Sequence, residues 1–222
     1  MEAIRGPSEG ELFKKILGPE WLKLHPDIQR RFDKNPVPGT PLRYTGTLDE
    51  LKSSFVGKIM GFFTLPMIKG ALIPYDDANF PVDIEVYCKR DSDAIFKQRI
   101  YRLNKRKPIQ FTSYMRESAK GEVLEYVGFG LGMKLVLSVR DGNLHFRSDG
   151  YFWELFGVRI PMPGILTPGE TDLMHMNQGE NRFRIRIAIK HCLFGMMFTQ
   201  AGEFSELPKG EADSASSAVA CA

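Results

Sequence analysis

Glu154 is the acidic residue whose neighbours best suit it to acid–base chemistry. It stands between Trp153 and Leu155 in an aromatic stretch of the chain. A carboxyl group among aromatic side chains loses hydration, which raises its pKa and favours its use as a proton donor. Glutamates in such stretches also commonly face solvent, so the sequence leaves both interpretations of Glu154 open.

Two of the four histidines, His145 and His175, lie in segments with β-strand patterns. If the two strands are adjacent, the imidazoles could bind a metal ion or pass a proton, and a purely structural role is the alternative. The cysteines Cys88, Cys192 and Cys221 have no zinc-like or disulfide-framework spacing. We therefore predict no metal and no other cofactor, and we keep Glu154 and His145 only as weak catalytic candidates.

A basic run surrounds one predicted turn and comprises Arg99, Arg102, Lys105, Arg106 and Lys107. Such a run either keeps a sheet edge soluble or contacts a phosphate or another anionic head group. Over the whole chain, 30 Lys and Arg residues against 27 Asp and Glu residues leave a net charge of +3. That balance is not typical of a dedicated nucleic-acid-binding protein, so we predict no nucleic-acid partner.

The glycine-rich run 128–132, Gly-Phe-Gly-Leu-Gly, is similar to a phosphate-binding loop. It lies between two predicted strands, however, and no helix begins after it, which argues against a nucleotide site. We interpret the run as a bend or bulge that redirects the sheet.

Most of the chain has the pattern of antiparallel strands. Apolar and basic residues alternate from Arg182 to Ile189, which indicates a β-strand with one buried face. The same alternation recurs from about residue 82 to residue 206. It predicts hairpins at 82–89 with 94–103, 109–117 with 123–129, 133–140 with 144–151 and 172–177 with 182–190, a last strand near 194–203, and an earlier short strand at 42–48.

Two helical regions and one folded domain are predicted. Apolar spacing indicates a helical hairpin or kinked helix over 11–32, interrupted at Gly18-Pro19 and His25-Pro26, and a second helix over 51–63. We expect a flexible N-terminus at 1–10, a single α+β domain at 11–207 and a disordered tail at 208–222. The polar start of the chain does not have the pattern of a signal peptide, so we expect a cytoplasmic protein.

These elements predict an α+β fold with a long curved antiparallel β-meander or partial barrel, packed on the buried helix 51–63 and preceded by N-terminal helices. Such a sheet encloses a tapered apolar interior whose mouth is the usual place for a ligand. The residues predicted to line this ligand-binding interior, with Trp153 near the mouth, are Phe111, Met115, Leu135, Leu137, Phe146, Trp153, Phe183, Ile185 and Ile187.

Two apolar segments suggest covers for that interior. Residues 151–166 are rich in aromatic residues, and the prolines at 161, 163 and 168 disfavour a central strand. We expect this segment either to cover the core or to gate a hydrophobic pocket. We expect residues 55–73 to form a core helix, a lid helix or an interfacial membrane contact in which Lys58 and Lys69 reach the head groups.

The order of several short motifs resembles an uncharacterised bacterial family, domain of unknown function 4166. The resemblance covers roughly residues 11–206 and rests on order and spacing. The matching motifs are Leu12-Phe13, Ile16-Leu17-Gly18, Leu24-His25-Pro26, Phe62-Phe63-Thr64-Leu65-Pro66, Glu125-Tyr126-Val127-Gly128, the run from Leu155 to Pro161, Leu166-Thr167-Pro168, Gly195 and Gln200-Ala201-Gly202.

The resemblance implies little about activity. In the family this domain often follows a saccharopine-dehydrogenase-like or epimerase-like nucleotide-binding domain, and we expect this chain to be a free-standing version without that domain. The resemblance therefore implies a separate NAD(P)-binding oxidoreductase as a partner. Three functions stay open: non-catalytic binding of an apolar or lipid-like small molecule, an accessory or catalytic subunit that works with that oxidoreductase on an apolar substrate, and a module that docks on a membrane or a partner protein.

Overall fold

The computed structural model describes residues 8–66, 68, 70–179 and 181–207. Three α-helices are α1 (Glu9–Leu17), α2 (Pro26–Phe32) and α3 (Phe55–Thr64), with a 3₁₀ turn at Gly18–Lys23 between the first two. The strands are β1 (Leu42–Ser53), β2 (Phe80–Cys88), β3 (Ile95–Tyr101), β4 (Ile109–Glu117), β5 (Val123–Gly128), β6 (Leu131–Arg140), β7 (Asn143–Leu155), β8 (Val158–Met162), β9 (Glu170–Asn177), β10 (Arg182–His191) and β11 (Gly195–Glu206).

The strands form a closed antiparallel barrel. Each of β1 to β7 pairs with its successor in sequence, β7 pairs with β9, and β9, β10 and β11 follow in order. Strand β11 then pairs with β1, from Tyr44 opposite Glu206 to Ser53 opposite Phe198. Ten strands thus close the ring, while β8 pairs only with the second half of β7 and stays at the edge.

The predicted antiparallel meander is confirmed, but the partial barrel is a closed one. The strand alternation in the sequence identifies the strands of the ring, although it does not identify the edge strand β8. The pairing that closes the ring joins the first strand to the last, about 150 residues apart, as in Leu51 opposite Gln200. No local pattern encodes that contact, which is why the sequence predicted a curved sheet with open edges.

The N-terminal helices close one end of the barrel. The Ser8 hydroxyl accepts a hydrogen bond from the Glu11 amide and caps α1, and Pro26 begins α2. Phe13 of α1 is fully buried, and its ring packs against Phe32 of α2 and against Phe146 of β7, with centroids 5.2 and 5.5 Å apart. These helices therefore plug the end that we call the closed end. Helix α1 begins at Glu9, inside the segment predicted to be flexible, and residues 1–7 and 208–222 lie outside the described residues.

Helix α3 differs from the prediction in both extent and position. Residues Leu51–Ser53 belong to β1, because they pair with β11, and the helix starts only after Ser54, whose hydroxyl accepts from the Gly57 amide at 3.1 Å. It does not fill the concavity of the sheet. It lies across the opposite end of the barrel, where Gly57 approaches the Met197 carbonyl. The side chains of Phe55 and Phe63 are 78% and 80% exposed.

We call this opposite end the mouth end. Besides α3, it carries the turns after β3 and β5, the β7–β8 hairpin, residues 163–168 and the turn between β10 and β11. Pro161 lies in the edge strand β8, in agreement with the expectation that the prolines disfavour a central strand. Among the residues that the structure describes, no helix combines the length and the apolar character needed to cross a membrane.

Candidate functional site

The barrel encloses a cavity of about 410 Å³. All ten strands of the ring contribute to its lining, and most of the lining side chains are apolar. At the closed end the cavity reaches Phe32 of α2, and at the mouth end it reaches Met60 and Thr64 of α3. A volume in this range suits a small organic molecule.

Seven of the nine residues predicted to line the interior face this cavity. They are Phe111, Met115, Leu135, Phe146, Phe183, Ile185 and Ile187. Leu137 instead packs with Phe13 and Leu17 in the cluster beneath the N-terminal helices. Trp153 does not line the cavity either: it is 40% exposed, and its indole nitrogen donates to the Phe129 carbonyl at 2.8 Å. That these residues contact a ligand stays a prediction.

Both apolar covers expected from the sequence lie at the mouth end of the cavity. From residues 163–168, Leu166, Thr167 and Pro168 reach the lining. The hydrogen bonds of Leu166 and Thr167 run to Pro163 and Gly164 of the same segment. Within the described structure, these hydrogen bonds therefore connect residues of the segment with one another and do not join it to a strand of the barrel.

Strand β3 places two cations inside the barrel, which the sequence analysis did not anticipate. Lys97 and Arg99 share the inward register with Ile95 and Tyr101, because side chains alternate along a strand. Ile95 and Tyr101 are both buried. The register of Ile95 and Tyr101 was therefore the signal in the sequence for an inward position. The basic run itself suggested either a solvated sheet edge or a contact with an anionic head group.

Lys97 lies in an ion-pair network. Its ammonium is 2.7 Å from Glu9 of α1 and 4.0 Å from Glu125 of β5. Burial alone would lower the pKa of Lys97, but the charges of Glu9 and Glu125 outweigh burial and raise it. Lys97 is therefore charged and compensated by carboxylates of the protein.

Arg99 has a different environment. One of its guanidinium nitrogens donates to the Ser113 hydroxyl at 3.0 Å, and the guanidinium lies 5.5 Å from the centre of the Phe111 ring. Within the described ranges it forms no ion pair with a carboxylate. The cavity thus contains a cation whose charge is not balanced by a paired carboxylate.

The closed end of the cavity has a polar floor. His175 stacks on Phe183 with ring centroids 4.6 Å apart, and the guanidinium of Arg31 lies 4.2 Å from the centre of the same Phe183 ring. Burial, followed by the charges of Arg31 and Lys97, lowers the pKa of His175, so its imidazole is neutral at neutral pH. His175 Nδ1, Arg31 Nη1 and Glu125 Oε2 are buried and have no hydrogen-bond partner within the described structure.

Neither weak catalytic candidate faces the cavity. Glu154 lies on the outer face of the barrel, where it accepts a hydrogen bond from Tyr126 at 2.6 Å and pairs with Arg116 at 2.9 and 3.1 Å. Burial would raise the pKa of Glu154, but the Tyr126 hydrogen bond and the charges of Arg116 and Arg159 lower it. This direction is opposite to the one that its aromatic neighbours led us to expect.

His145 is buried between the Ser138 hydroxyl, at 3.1 Å, and an Asp172 oxygen, at 2.6 Å. Strands β7 and β9 are adjacent, as the metal hypothesis required, but His175 pairs with Leu144 and points to the opposite face. The two histidines therefore do not meet. No group of three or more His, Cys, Asp or Glu side chains in the described part of the chain could hold a metal ion.

The glycine-rich run forms the tight turn between β5 and β6, as interpreted from the sequence. Gly128, Phe129 and Gly130 all have positive φ, and the pairing register shifts between Tyr126 and Gly128. At Gly130 a side chain would clash with the Glu154 carbonyl. The glycines thus serve the turn geometry.

The comparisons with known proteins agree with the resemblance seen in the motifs. A search of the curated proteins finds no match. The sequence profile of a family described as Domain of unknown function (DUF4166) matches residues 24–204, which span all eleven strands apart from the last two residues of β11. The partnership with a separate NAD(P)-binding oxidoreductase stays a prediction. The chain belongs to the family of domain of unknown function 4166.

Proposed function

We propose that this protein binds an apolar or lipid-like small molecule inside its closed barrel, without catalysing a reaction on it. The observation that carries the proposal is the cavity of about 410 Å³ with its mainly apolar lining. Protein interiors are normally close-packed, and empty space of this size forgoes the dispersion contacts that a filled core would make. A ligand restores those contacts.

The arrangement of the two ends supports the proposal. The closed end is sealed by α1 and α2, whose aromatic residues Phe13 and Phe32 are almost completely buried. The mouth end is covered by α3 and by residues 163–168, which are short elements with large exposed surfaces. A ligand would enter at the mouth end, because opening it disturbs much less packed surface.

The first experiment is native mass spectrometry of the purified protein, with organic extraction of whatever co-purifies. A stoichiometric apolar molecule is the expected result. If the protein is empty as purified, titration with the uncharged dye Nile red tests uptake directly. An empty protein that takes up no dye would overturn the proposal.

A matched pair of variants connects uptake to the cavity. Ile187→Phe adds volume to the lining and should reduce dye affinity at least about tenfold, because it fills space that the ligand needs. Val136→Phe makes a similar change at a position of β6 that is 38% exposed on the outer face, and it should leave uptake unchanged. Equal affinity of the two variants would show that the dye binds elsewhere.

A second candidate function is docking of the mouth end on a lipid bilayer. All but three of the exposed large apolar side chains in the described residues lie at this end; the exceptions are Leu22, Val37 and Val136. The exposed side chains of the mouth end, which we call the apolar rim, are Phe55, Ile59, Phe62, Phe63, Phe129, Trp153, Phe156, Val158, Ile160, Ile165, Leu166, Leu193, Phe194 and Met196. A concentration of exposed apolar side chains at one end of a protein favours an interaction site there.

Charge at the same end favours an anionic bilayer as the occupant. Lys105, Arg106 and Lys107 lie exposed in the turn after β3. Arg106 stacks 3.7 Å above the ring of Tyr75, which in turn packs edge-on against Phe62 of the rim at 5.6 Å. Basic side chains beside exposed aromatic residues match a surface of acyl chains and anionic head groups.

Vesicle co-sedimentation tests the docking proposal. The protein should sediment with phosphatidylcholine vesicles that contain phosphatidylserine, and less with phosphatidylcholine alone. The double variant Phe62→Ser with Phe63→Ser should reduce binding at least about tenfold, because it removes two exposed aromatic side chains. Leu22→Ser, a change at a residue 77% exposed near the closed end, is the control. Absence of sedimentation, or equal loss in the control, would overturn docking.

A further inference from the structure

We infer that the ligand of the barrel is an amphipathic anion, with an apolar chain in the cavity and a carboxylate or phosphate head group bound by Arg99. The inference rests on the proposed binding function and specifies its ligand class. It begins from the guanidinium of Arg99, which carries five N–H donors. Within the described residues, the Ser113 hydroxyl is its one hydrogen-bond acceptor, at 3.0 Å.

The charges around the cavity leave Arg99 without a counter-ion. The cations in the lining are Arg31, Lys34, Lys97 and Arg99, and the anions are Glu9 and Glu125. Lys97 takes both of these carboxylates, and Lys34 pairs with Glu206. In the part of the chain that the structure describes, positive charge therefore exceeds negative charge inside the barrel.

A cation without a counter-ion loses favourable interactions when it leaves bulk water for an apolar interior. Arg99 lies opposite Ile84 of β2 and Phe111 of β4, and the contacts described for it are the Ser113 hydroxyl and the Phe111 ring, both of them neutral. An anionic head group would supply the missing charge. The planar guanidinium favours carboxylates and phosphates, because it can bind two of their oxygens at once.

Neutral polar groups beside Arg99 fit the same head group. Tyr101, the next inward residue of β3, lines the cavity, and so does Gln200 of β11. Burial raises the pKa of Tyr101, so its hydroxyl keeps its proton at neutral pH. Ser113, Tyr101 and Gln200 thus add neutral polar groups to the lining that contains Arg99.

Calorimetric titration of the full chain with dodecanoate and with dodecanol tests the inference, because these probes share the chain and differ in the head group. The wild-type protein should bind dodecanoate at least about tenfold more tightly than dodecanol. Arg99→Met should abolish this preference while it retains dodecanol binding. Arg99→Lys keeps the positive charge but loses the planar guanidinium that can bind two oxygens at once, so it should retain part of the preference. Arg140→Met, at an exposed position of β6, is the control and should behave as wild type.

The outcomes separate this inference from the proposed function. If neither probe binds, both fail. If the two probes bind equally well to the wild type, the barrel binds apolar chains and the anionic head group is wrong. If Arg99→Met keeps the preference, Arg99 is not the head-group residue. A thermal melt of each variant identifies loss of folding, and dodecyl phosphate in parallel separates a phosphate from a carboxylate head group.

Discussion

On the outer face of the barrel, Arg116, Tyr126 and Glu154 satisfy one another. Arg116 donates to the Tyr126 oxygen at 2.7 Å and to both carboxylate oxygens of Glu154, and Tyr126 donates to Glu154. The network connects β4, β5 and β7, which are not all direct neighbours in the sheet. Because the pKa of Glu154 is lowered, its carboxylate is charged at neutral pH. It therefore accepts hydrogen bonds from Arg116 and Tyr126 and connects the strands that carry them.

Glu154→Gln should therefore destabilise the fold in a pH-dependent way. The loss should be about 1–2 kcal/mol at pH 7, because Gln keeps hydrogen-bonding capacity but leaves Arg116 without its counter-charge. A carboxyl group with a lowered folded-state pKa contributes stability above its unfolded-state value, near 4.5, and loses that contribution as pH falls through the folded-state pKa. The difference between wild type and variant should hence be largest near neutral pH and shrink below pH 4.5.

Urea unfolding at pH 7 and at several values below pH 4.5 measures this difference. Glu20→Gln is a suitable control, because Glu20 is exposed and pairs only with Lys23 one turn away. Its free energy of unfolding should change by no more than about 0.5 kcal/mol. A pH-independent effect of Glu154→Gln would show that packing, rather than charge, explains the role of Glu154.

At the residue scale, the apolar lining could be predicted and the cations within it could not. Phe111, Ile185 and Ile187 follow from strand alternation alone. Lys97 and Arg99 obey the same alternation, but a basic side chain is normally evidence for a solvent-facing position. Only the structure shows that the inward register of β3 continues through them. Residues that break the polarity rule are expected at functional sites, where binding requires charges that the fold alone does not need.

Among the elements, α1 determines whether the closed end is sealed. Phe13 is fully buried between the rings of Phe32 and Phe146, so it joins the helices to the barrel wall. Phe13→Ala should lower the free energy of unfolding by about 3–5 kcal/mol, because it removes a large buried side chain and leaves a void. Urea unfolding monitored by tryptophan fluorescence reports the change directly, since Trp21 belongs to the same cluster.

Leu22 provides the matched test in the same helical region. It is 77% exposed, so Leu22→Ala should change the free energy of unfolding by no more than about 0.5 kcal/mol. Similar losses in Phe13→Ala and Leu22→Ala would mean that burial of the Phe13 ring against the barrel does not explain the loss. An unfolding transition of Phe13→Ala that leaves the barrel intact would show that the helices fold separately.

Elements with local signals were predictable, and elements shaped by distant partners were not. The turn at Asp141-Gly142 has positive φ at both residues, as its composition suggests, and it joins β6 to β7. By contrast, residues 51–53 were assigned to the predicted helix 51–63 but extend β1, because β11 offers them backbone partners. The sequence analysis did not predict strand β8, because Pro161 argues against a strand. The structure accommodates this proline because β8 lies at the edge of the sheet.

For the whole molecule, the decisive contact is the seam between β1 and β11. Every other pairing in the ring joins successive strands, apart from β7 with β9, where the edge strand β8 intervenes, so an open meander already satisfies them. Closure removes both edges of the sheet and turns a curved surface into an enclosed cavity. The seam between β1 and β11 is thus required for an enclosed cavity that can hold a ligand. This pairing depends on the close approach of the two backbones at Gly46 and Gly202.

Gly46→Ala tests the seam, because a Cβ at this position would clash with the Glu203 carbonyl and lie 2.9 Å from the Phe204 Cα. We expect a loss of about 1–3 kcal/mol, the usual result of overpacking, together with faster amide hydrogen exchange in β1 and β11 than in β3 and β4. Gly164→Ala is the control, since nothing lies within 4 Å of its added Cβ. It should be neutral or slightly stabilising, because alanine restricts the unfolded chain. If Gly46→Ala loses stability while exchange rises uniformly around the ring, then the barrel unfolds as one unit and the seam is no weaker than its other pairings.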